Sequence, residues 1–164
     1  LALLEAGSGS YIDQRIGRYG QPFRCLKIRS MRPDSPRICA AHKPVLDPRI
    51  TPLGIFLRRS SLDELPQLWC VLKGEMSLVG PRPDVIPVNQ YREWQRIRFI
   101  VLPGLTGLWQ VSGKNNTTFN EMNQLDADYV QRRSLWLDTK IIAMTIPSII
   151  QLVFQSYSET QPNS

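Results

Sequence analysis

Proline limits where regular structure can persist in this chain, because its ring fixes the φ angle and its nitrogen has no hydrogen to donate. Five of the 13 prolines in the 164-residue sequence fall within one short stretch, at positions 33, 36, 44, 48 and 52. We therefore expect a loop from Arg32 to Pro52, with regular structure on either side of it.

The segment before this loop has strand character. Apolar and polar residues alternate in residues 11–16, and a second apolar stretch covers residues 23–28. Gly17 and Gly20 lie between the two stretches as turn signals. The pattern predicts a small β-hairpin.

The clearest helix signal after the loop covers residues 61–74, SLDELPQLWCVLKG. Apolar side chains recur there at helical spacing and predict one buried face, made of Leu65, Leu68, Trp69 and Leu72. Gly74 is placed to end the helix in the left-handed conformation.

The start of this helix is open between two patterns. Ser61 and Glu64 form a capping-box pair, but Pro66 would then clash with the carbonyl of Leu62. With Asp63 as the N-cap, Pro66 lies within the first turn, where proline is tolerated. Both alternatives put Asp63 and Glu64 at a helix N-terminus.

Three further helical stretches follow. We expect them over residues 87–101, from Thr118 with Glu121 as its capping-box partner, and over residues 135–154 with a kink near Pro147. Together with the hairpin they predict an α+β fold, a helix-dominated compact domain with a small N-terminal β-hairpin. The length suits a single domain.

Three regions are expected along the chain. Residues 1–10 change from apolar to Gly and Ser, and the chain begins with Leu rather than Met, so we interpret them as the end of an upstream membrane segment or a linker. Residues 11–157 form the folded domain, and residues 158–164 form a disordered tail.

No run of about 18 apolar residues that could span a bilayer occurs in the sequence. The longest apolar stretch covers residues 141–154 and is interrupted by polar residues and by Pro147. Such a stretch is typical of a buried or interfacial helix.

The charge of the chain favours an anionic partner. Lys and Arg number 20 and Asp and Glu 14, a net charge of +6, which suits nucleic acid, a nucleotide or an anionic lipid surface. Many basic domains bind none of these. Arginine and aromatic residues alternate in residues 91–99, but no nucleic-acid-binding motif accompanies them, so we expect no nucleic-acid partner. A membrane-facing helix and a packed helix with a solvated face both fit this stretch.

The cysteines do not predict a metal site. Cys25, Cys39 and Cys70 form no CxxC pair and are odd in number, which favours a reducing compartment and buried apolar side chains. His42 lies three residues after Cys39, but no second pair completes a zinc site.

The adjacent carboxylates Asp63 and Glu64 are the candidate reaction centre. A helix N-terminus carries unpaired N–H groups and partial positive charge, which we expect to lower the pKa of both carboxyls. Ionised carboxylates serve as nucleophiles and as magnesium ligands. Arg58, Arg59 and Arg82 are close by in the sequence and suited to clamp a phosphate. The alternative is a helix cap with surface ion pairs.

The wider sequence carries several motifs. Residues 56–69 and 72–84 read FLRRSSLDELPQLW and LKGEMSLVGPRPD. Further segments are KIRSM (27–31), PGLTGLWQVSG (103–113), DYV (128–130) and SLWLD (134–138). This ordered set closely resembles the bacterial sugar transferase family, the monotopic polyprenyl-phosphate hexose-1-phosphate transferases that start exopolysaccharide and lipid-linked glycan assembly.

The resemblance implies that residues 11–157 are a catalytic domain that acts on a UDP-sugar in two steps. Asp63 would attack the β-phosphate and UMP would leave, after which a polyprenyl (undecaprenyl) phosphate would take the sugar-phosphate from the enzyme. Glu64 is then the expected Mg²⁺ ligand or proton acceptor, with Asp63 close to the same ion.

Four further residues are candidates for binding the substrate. Arg58 and Arg82 match family positions near the phosphates, and Gln110 and Lys114 are expected to contact the donor. Lys114 stands where many members have arginine, so it keeps the charge but loses the bidentate fork.

The family usually carries a hydrophobic re-entrant helix before the hairpin, and this sequence does not contain one. The resemblance implies a membrane-associated, monotopic domain at the cytoplasmic face of the bacterial inner membrane, with UDP-sugar, polyprenyl phosphate and membrane lipid as partners. Two alternatives are an anchor-less, catalytically impaired remnant that acts as a basic binding domain, and a soluble nucleotide-sugar hydrolase. The sequence predicts neither the hexose nor the oligomeric state.

Overall fold

The computed structural model describes residues 9–32, 49–112 and 117–159, with residues 152–159 as backbone only. Helix and strand are mixed along these residues and helix predominates, as predicted. The strands and α-helices are β1 (Ser10–Ile16), β2 (Pro22–Ile28), α1 (Pro52–Arg59), α2 (Leu68–Leu72), β3 (Ser77–Val79), β4 (Gly104–Thr106), α3 (Leu108–Val111), α4 (Phe119–Arg132) and α5 (Leu135–Glu159). Short 3-10 helices cover Arg18–Gly20, Leu62–Gln67, Val88–Gln90 and Glu93–Ile100.

The predicted hairpin is confirmed. β1 and β2 pair antiparallel, with Ser10 opposite Ile28 and Ile16 opposite Pro22. Cys25 on β2 is fully buried and packs with Cys70 and Met76. These two cysteines are therefore buried apolar side chains, as expected, while Cys39 and His42 lie outside the described residues.

Helix α1 begins inside the segment predicted to be a loop. The Thr51 hydroxyl accepts a hydrogen bond from the Gly54 amide, and Pro52 lies in the first turn. A capping threonine followed by proline is a helix-start signal. The run of prolines concealed it, and the rest of that segment, residues 33–48, lies outside the described residues.

The helix predicted over residues 61–74 is wrong in type and in buried face. The chain forms a 3-10 helix over Leu62–Gln67, here named the dyad helix, and only then continues as α2. The side chains buried are Asp63, Gln67 and Cys70, whereas the four predicted to be buried are exposed, Leu72 to 79%. Pro66 donates no hydrogen bond, and a 3-10 helix has 3.0 residues per turn, so the 3.6-residue periodicity does not hold across the dyad helix.

A second strand pair was not predicted. β3 and β4 are parallel, with Ser77 opposite Gly104 and Val79 opposite Thr106. The backbones approach so closely that a Cβ on Gly104 would lie 2.1 Å from the Gly80 nitrogen, so a side chain does not fit there. This contact fixes the segment that follows β3, residues 80–84, here named the Arg82 loop.

The main apolar core lies under β3, α4 and α5. It is formed by Val79, Val101, Tyr129, Val130 and Ile141. The capping box that starts α4 is confirmed, because Thr118 and Glu121 bond each other's backbone amides. Helix α5 includes Pro147 and continues to Glu159, past the predicted end at residue 154; residues 160–164 lie outside the described part.

The stretch over residues 87–101 forms two 3-10 helices instead of one helix. Tyr91, Arg98 and Phe99 are buried there, which supports the packed alternative over a membrane-facing or nucleic-acid-binding stripe. Across the described ranges of the chain, none of the helices has both the length and the apolarity needed to cross a bilayer.

Candidate active site

Asp63 and Glu64 lie in the first turn of the dyad helix, which packs against β2 and α1. Ser61, just before it, has φ +57°, a left-handed conformation that is rare for a residue other than glycine. Such backbone costs about 1–3 kcal/mol and is concentrated at functional sites. The turn that carries the two carboxylates is therefore held in place by the packing around it.

Glu64 is fixed by two cations. Its Oε1 accepts a hydrogen bond from Lys27 Nζ at 2.8 Å and another from Arg82, whose second guanidinium nitrogen donates to Oε2 at 2.9 Å. Burial opposes the charged form, but Arg82 and Lys27 outweigh it and hold the pKa of Glu64 well below its usual range. Glu64 in turn raises the pKa of Arg82. These three groups form a permanently charged cluster.

Asp63 differs from its neighbour. It is 8% exposed, and the contacts between described residues include no hydrogen bond or ion pair to its carboxylate. Burial, and then the charge of Glu64, raises the pKa of Asp63, while Lys27, Arg58 and Arg82 act in the opposite direction.

The expected lowering of the pKa is therefore wrong for Asp63 and right in direction for Glu64. A short 3-10 turn supplies little helix dipole, so burial and neighbouring charges decide both values. The result is a buried carboxylate that no described residue bonds, with Lys27, Arg58 and Arg82 acting on its charge.

The structure brings four of the predicted residues together: Asp63, Glu64, Arg58 and Arg82. Arg58, at the end of α1, donates from Nε to the Ser30 hydroxyl at 2.7 Å. Lys27 was not among the predicted site residues although it belongs to the KIRSM motif. The sequence signal that was overlooked is a lysine between two apolar residues, Leu26 and Ile28, on a predicted strand.

Two predicted residues are not joined to this cluster. Gln110 on α3 is buried, and its amide donates to the carbonyl of Leu105 at 3.3 Å. Lys114 lies outside the described residues. Asp138, the last residue of the SLWLD motif, accepts a hydrogen bond from the Tyr129 hydroxyl at 2.8 Å.

The oxygen atoms at the site could bind Mg²⁺ through one carboxylate, that of Asp63. Mg²⁺ prefers oxygen ligands and is commonly held by one or two carboxylates together with substrate phosphates. The oxygens of Asp63 are free of described partners, whereas both oxygens of Glu64 are engaged by Arg82. Within the described ranges there is also no group of three or more His, Cys, Asp or Glu suited to a metal.

A cavity of about 450 Å³ lies elsewhere in the molecule. It opens beside the hairpin turn and the start of α5, lined by residues that include Arg18, Tyr129, Arg133 and Asp138. Lys27 of the carboxylate site lies five residues along β2 from Pro22, the residue at the turn end of that strand, a distance of roughly 17 Å. This cavity and the carboxylate site are therefore distinct.

Comparison with known proteins identifies the family. The sequence matches the model of the bacterial sugar transferases over residues 1–152. It is 42% identical over 159 residues to the galactosyl transferase CpsE of Streptococcus agalactiae, covering 89% of this chain and 35% of that protein. It is 40% identical over 161 residues to the UDP-glucose:undecaprenyl-phosphate glucose-1-phosphate transferase of Caulobacter vibrioides, covering 92% and 60%. It is 39% identical over 161 residues to the exopolysaccharide production protein ExoY of Rhizobium meliloti, covering 88% and 71%.

The chain belongs to the bacterial sugar transferase family. It spans 34–35% of the length of the first relatives that it matches.

Proposed function

We propose that this protein transfers a hexose-1-phosphate from a UDP-sugar to a polyprenyl phosphate and releases UMP. The observation that carries the proposal is the state of Asp63: a buried carboxylate, free of described partners, with Lys27, Arg58 and Arg82 acting on its charge. Relatives with this reaction in their names, such as the Caulobacter transferase, support the same class of donor and acceptor.

The reaction proceeds in two displacements at phosphorus. A carboxylate oxygen of Asp63 bonds to the β-phosphorus while the bond from that phosphorus to the bridging oxygen breaks, and UMP leaves with the oxygen and its electron pair. A phosphate oxygen of the polyprenyl phosphate then bonds to the same phosphorus, and the Asp63 carboxylate is released. Cations around the phosphorus stabilise the charge that spreads over its oxygens.

The cluster around Glu64 supports this assignment of roles. Arg82 and Lys27 neutralise Glu64 and remain fixed beside Asp63, ready for the anionic donor. Fixed charges that need no rearrangement during the reaction contribute most to lowering its barrier. Glu64 therefore acts by holding cations, and Asp63 by forming the covalent bond.

Mg²⁺ is the cofactor that we propose. Asp63 would hold it together with the donor diphosphate, and Glu64 would take part only if Arg82 released one of its oxygens. The ion would supply Lewis-acid stabilisation of the leaving phosphate. Full turnover in excess EDTA would contradict this requirement.

An exposed apolar face beside the dyad supports action at the cytoplasmic membrane surface. The side chains that form it lie on α1, the dyad helix and α2: Phe56, Leu62, Leu65, Leu68, Trp69 and Leu72. Apolar groups beside a basic cluster suit contact with anionic lipid, and a lipid-linked phosphate lies at that level of the bilayer.

The proposal is tested by replacing Asp63 with asparagine. Asp63→Asn keeps the shape of the side chain but removes the nucleophile, so UMP release should fall below detection while thermal unfolding changes little. Asp128→Asn, on α4, is the control and should keep activity, because no described residue bonds the Asp128 side chain.

The same assay separates the alternatives. Without polyprenyl phosphate the transferase releases at most one UMP per enzyme molecule, and it turns over only when the lipid is added. A hydrolase releases UMP and free sugar-phosphate continuously without lipid. If the wild-type protein releases no UMP with any UDP-sugar, the result supports the alternative of a catalytically impaired remnant. Normal turnover by Asp63→Asn removes Asp63 from the mechanism.

A further inference from the structure

A buried pair of charges lies behind the Arg82 loop and takes no part in the proposed chemistry. Asp126 of α4 is 1% exposed and Arg98 is 6% exposed. A guanidinium nitrogen of Arg98 lies 3.0 Å from Asp126 Oδ2, yet among the described residues no hydrogen bond reaches either carboxylate oxygen of Asp126. Burial raises the pKa of Asp126 to about 6, although Arg98 opposes the rise. A buried ion pair is weak evidence for stability, so its presence here calls for another role.

The contacts of Arg98 indicate that role. Its Nη2 donates to the carbonyl oxygen of Arg82 at 2.6 Å. Its Nη1 donates to the Tyr91 hydroxyl at 3.2 Å, and that hydroxyl donates to the Asp84 carboxylate at 2.8 Å. One guanidinium therefore holds the middle of the Arg82 loop directly and the end of the loop through Tyr91.

The hairpin holds the same loop from the other side. The Ile16 amide donates to the carbonyl of Asp84 at 2.8 Å, and the Arg15 side chain donates to the carbonyl of Pro83 at 3.2 Å. Arg98 closes this clamp, because it is the group that bonds the carbonyl of Arg82 itself. The Arg82 side chain then leaves a fixed backbone and forms both of its bonds with Glu64.

We propose that Arg98 and Asp126 are positioning residues for Arg82. Asp126 orients the Arg98 guanidinium, and Arg98 fixes the backbone of the Arg82 loop so that the Arg82 side chain meets Glu64 and the diphosphate of the donor. The part that concerns the donor rests on the proposed function. The part that concerns the loop does not.

The first test needs no substrate. Asp126→Asn keeps the size of the side chain and removes the charge that orients Arg98, and Asp128→Asn is its match on the same helix, since no described residue bonds the Asp128 side chain. We expect hydrogen exchange in residues 80–86 of the intact protein to become roughly 10-fold faster in Asp126→Asn. Asp128→Asn should match the wild type, and α1 should exchange equally in all three proteins.

The second test measures coupling to Arg82. Asp126→Asn should lower kcat/KM for UMP release roughly 10-fold in the wild-type background. In an Arg82→Lys background, Asp126→Asn should lower kcat/KM by less than about 2-fold, because effects that pass through one residue are not additive. Arg98→Lys keeps the charge but loses the fork and should behave as Asp126→Asn does, which provides a second variant if the first does not fold.

Each outcome decides the proposal. Unchanged exchange in the loop, faster exchange throughout the protein, or equal losses of kcat/KM in both backgrounds would overturn it. If the wild-type protein releases no UMP, the proposed function fails, and the exchange experiment still decides whether Arg98 and Asp126 position the loop.

Discussion

Two neighbouring carboxyls, Asp63 and Glu64, have pKa values shifted in opposite directions. Asp63 is buried and Glu64 partly buried, and burial raises the pKa of both carboxyls, so the opposite directions come from contact. Glu64 bonds Arg82 and Lys27 directly, whereas Asp63 receives only the longer-range effect of these charges. Opposed pKa shifts in adjacent groups mark a division of roles, here between a group that holds cations and a group that reacts.

Lys27 provides a test of this division. It lowers the pKa of Asp63 and also neutralises Glu64, so Lys27→Met should raise the pKa of Asp63 further. The nucleophile is the ionised form, which exists above the pKa, so the acid limb of the kcat/KM profile should move to higher pH. The measurement is the pH dependence of initial UMP release.

Lys73→Met is the matched control for this experiment. Lys73 lies at the end of α2, where its ammonium group is 5.8 Å from the ring of Trp69, and it is not among the groups that act on Asp63. The acid limb of the kcat/KM profile of Lys73→Met should coincide with that of the wild type. A limb for Lys27→Met that stays in place or moves to lower pH would disprove the assigned effect of Lys27.

Short elements held by close backbone contact build the site. The dyad helix, α2, β3 and β4 are each six residues or fewer, so none is stable alone. Gly80 and Gly104 allow β3 and β4 to approach closely enough for the Gly80 amide to donate to Thr106 and the Gly104 amide to Pro81. The position of the Arg82 loop therefore depends on the absence of two side chains.

Replacing Gly80 by alanine should disturb this contact. A Cβ there would lie 2.6 Å from the carbonyl oxygen of Leu102, so the strands must separate, at a cost of about 1–3 kcal/mol. Both the melting temperature and UMP release should fall. Gly74→Ala is the comparison, because its Cβ meets nothing within 4 Å and only its φ of +77° is unfavourable, which costs about 1–2 kcal/mol. It should lower the melting temperature and leave kcat unchanged; equal loss of kcat in both variants would contradict the role given to the loop.

At the scale of the whole molecule, the reactive carboxylate and the exposed apolar face lie on the same short segment. The dyad helix buries Asp63 and Gln67 and exposes Leu62 and Leu65, and α2 continues the exposed face with Trp69 and Leu72. With a net charge of +6, the surface combines an apolar contact with attraction to anionic lipid.

Vesicle binding tests this surface. The double variant Trp69→Gln/Leu72→Gln should bind anionic vesicles roughly 10-fold less tightly at low salt, because it removes apolar area from the contact. Binding of the wild type should fall in about 1 M salt, where screening acts within ~3 Å. Leu135→Gln, 87% exposed at the start of α5, is the control and should bind as the wild type does. Equal binding of the double variant and the wild type would place membrane contact elsewhere, for example on the apolar residues of α5.

The sequence by itself determined the elements whose signals are local: the hairpin, the capping box that starts α4, the glycine that ends α2, and the pair Asp63 and Glu64 with Arg58 and Arg82 in a motif of the family. Each depends on residues a few positions apart or on a contiguous pattern. The tertiary structure decided the rest. Which side chains of this segment are buried, Asp63 or Leu72, depends on the 3-10 geometry of the dyad helix, which includes Pro66. The pKa of Asp63 depends on burial and on Lys27, which lies 36 residues earlier in the chain. The parallel pairing of β3 with β4, and the clamp of Arg98 on Arg82, join segments that no local pattern connects, because contacts between distant segments follow from packing and leave no periodic signal in either one.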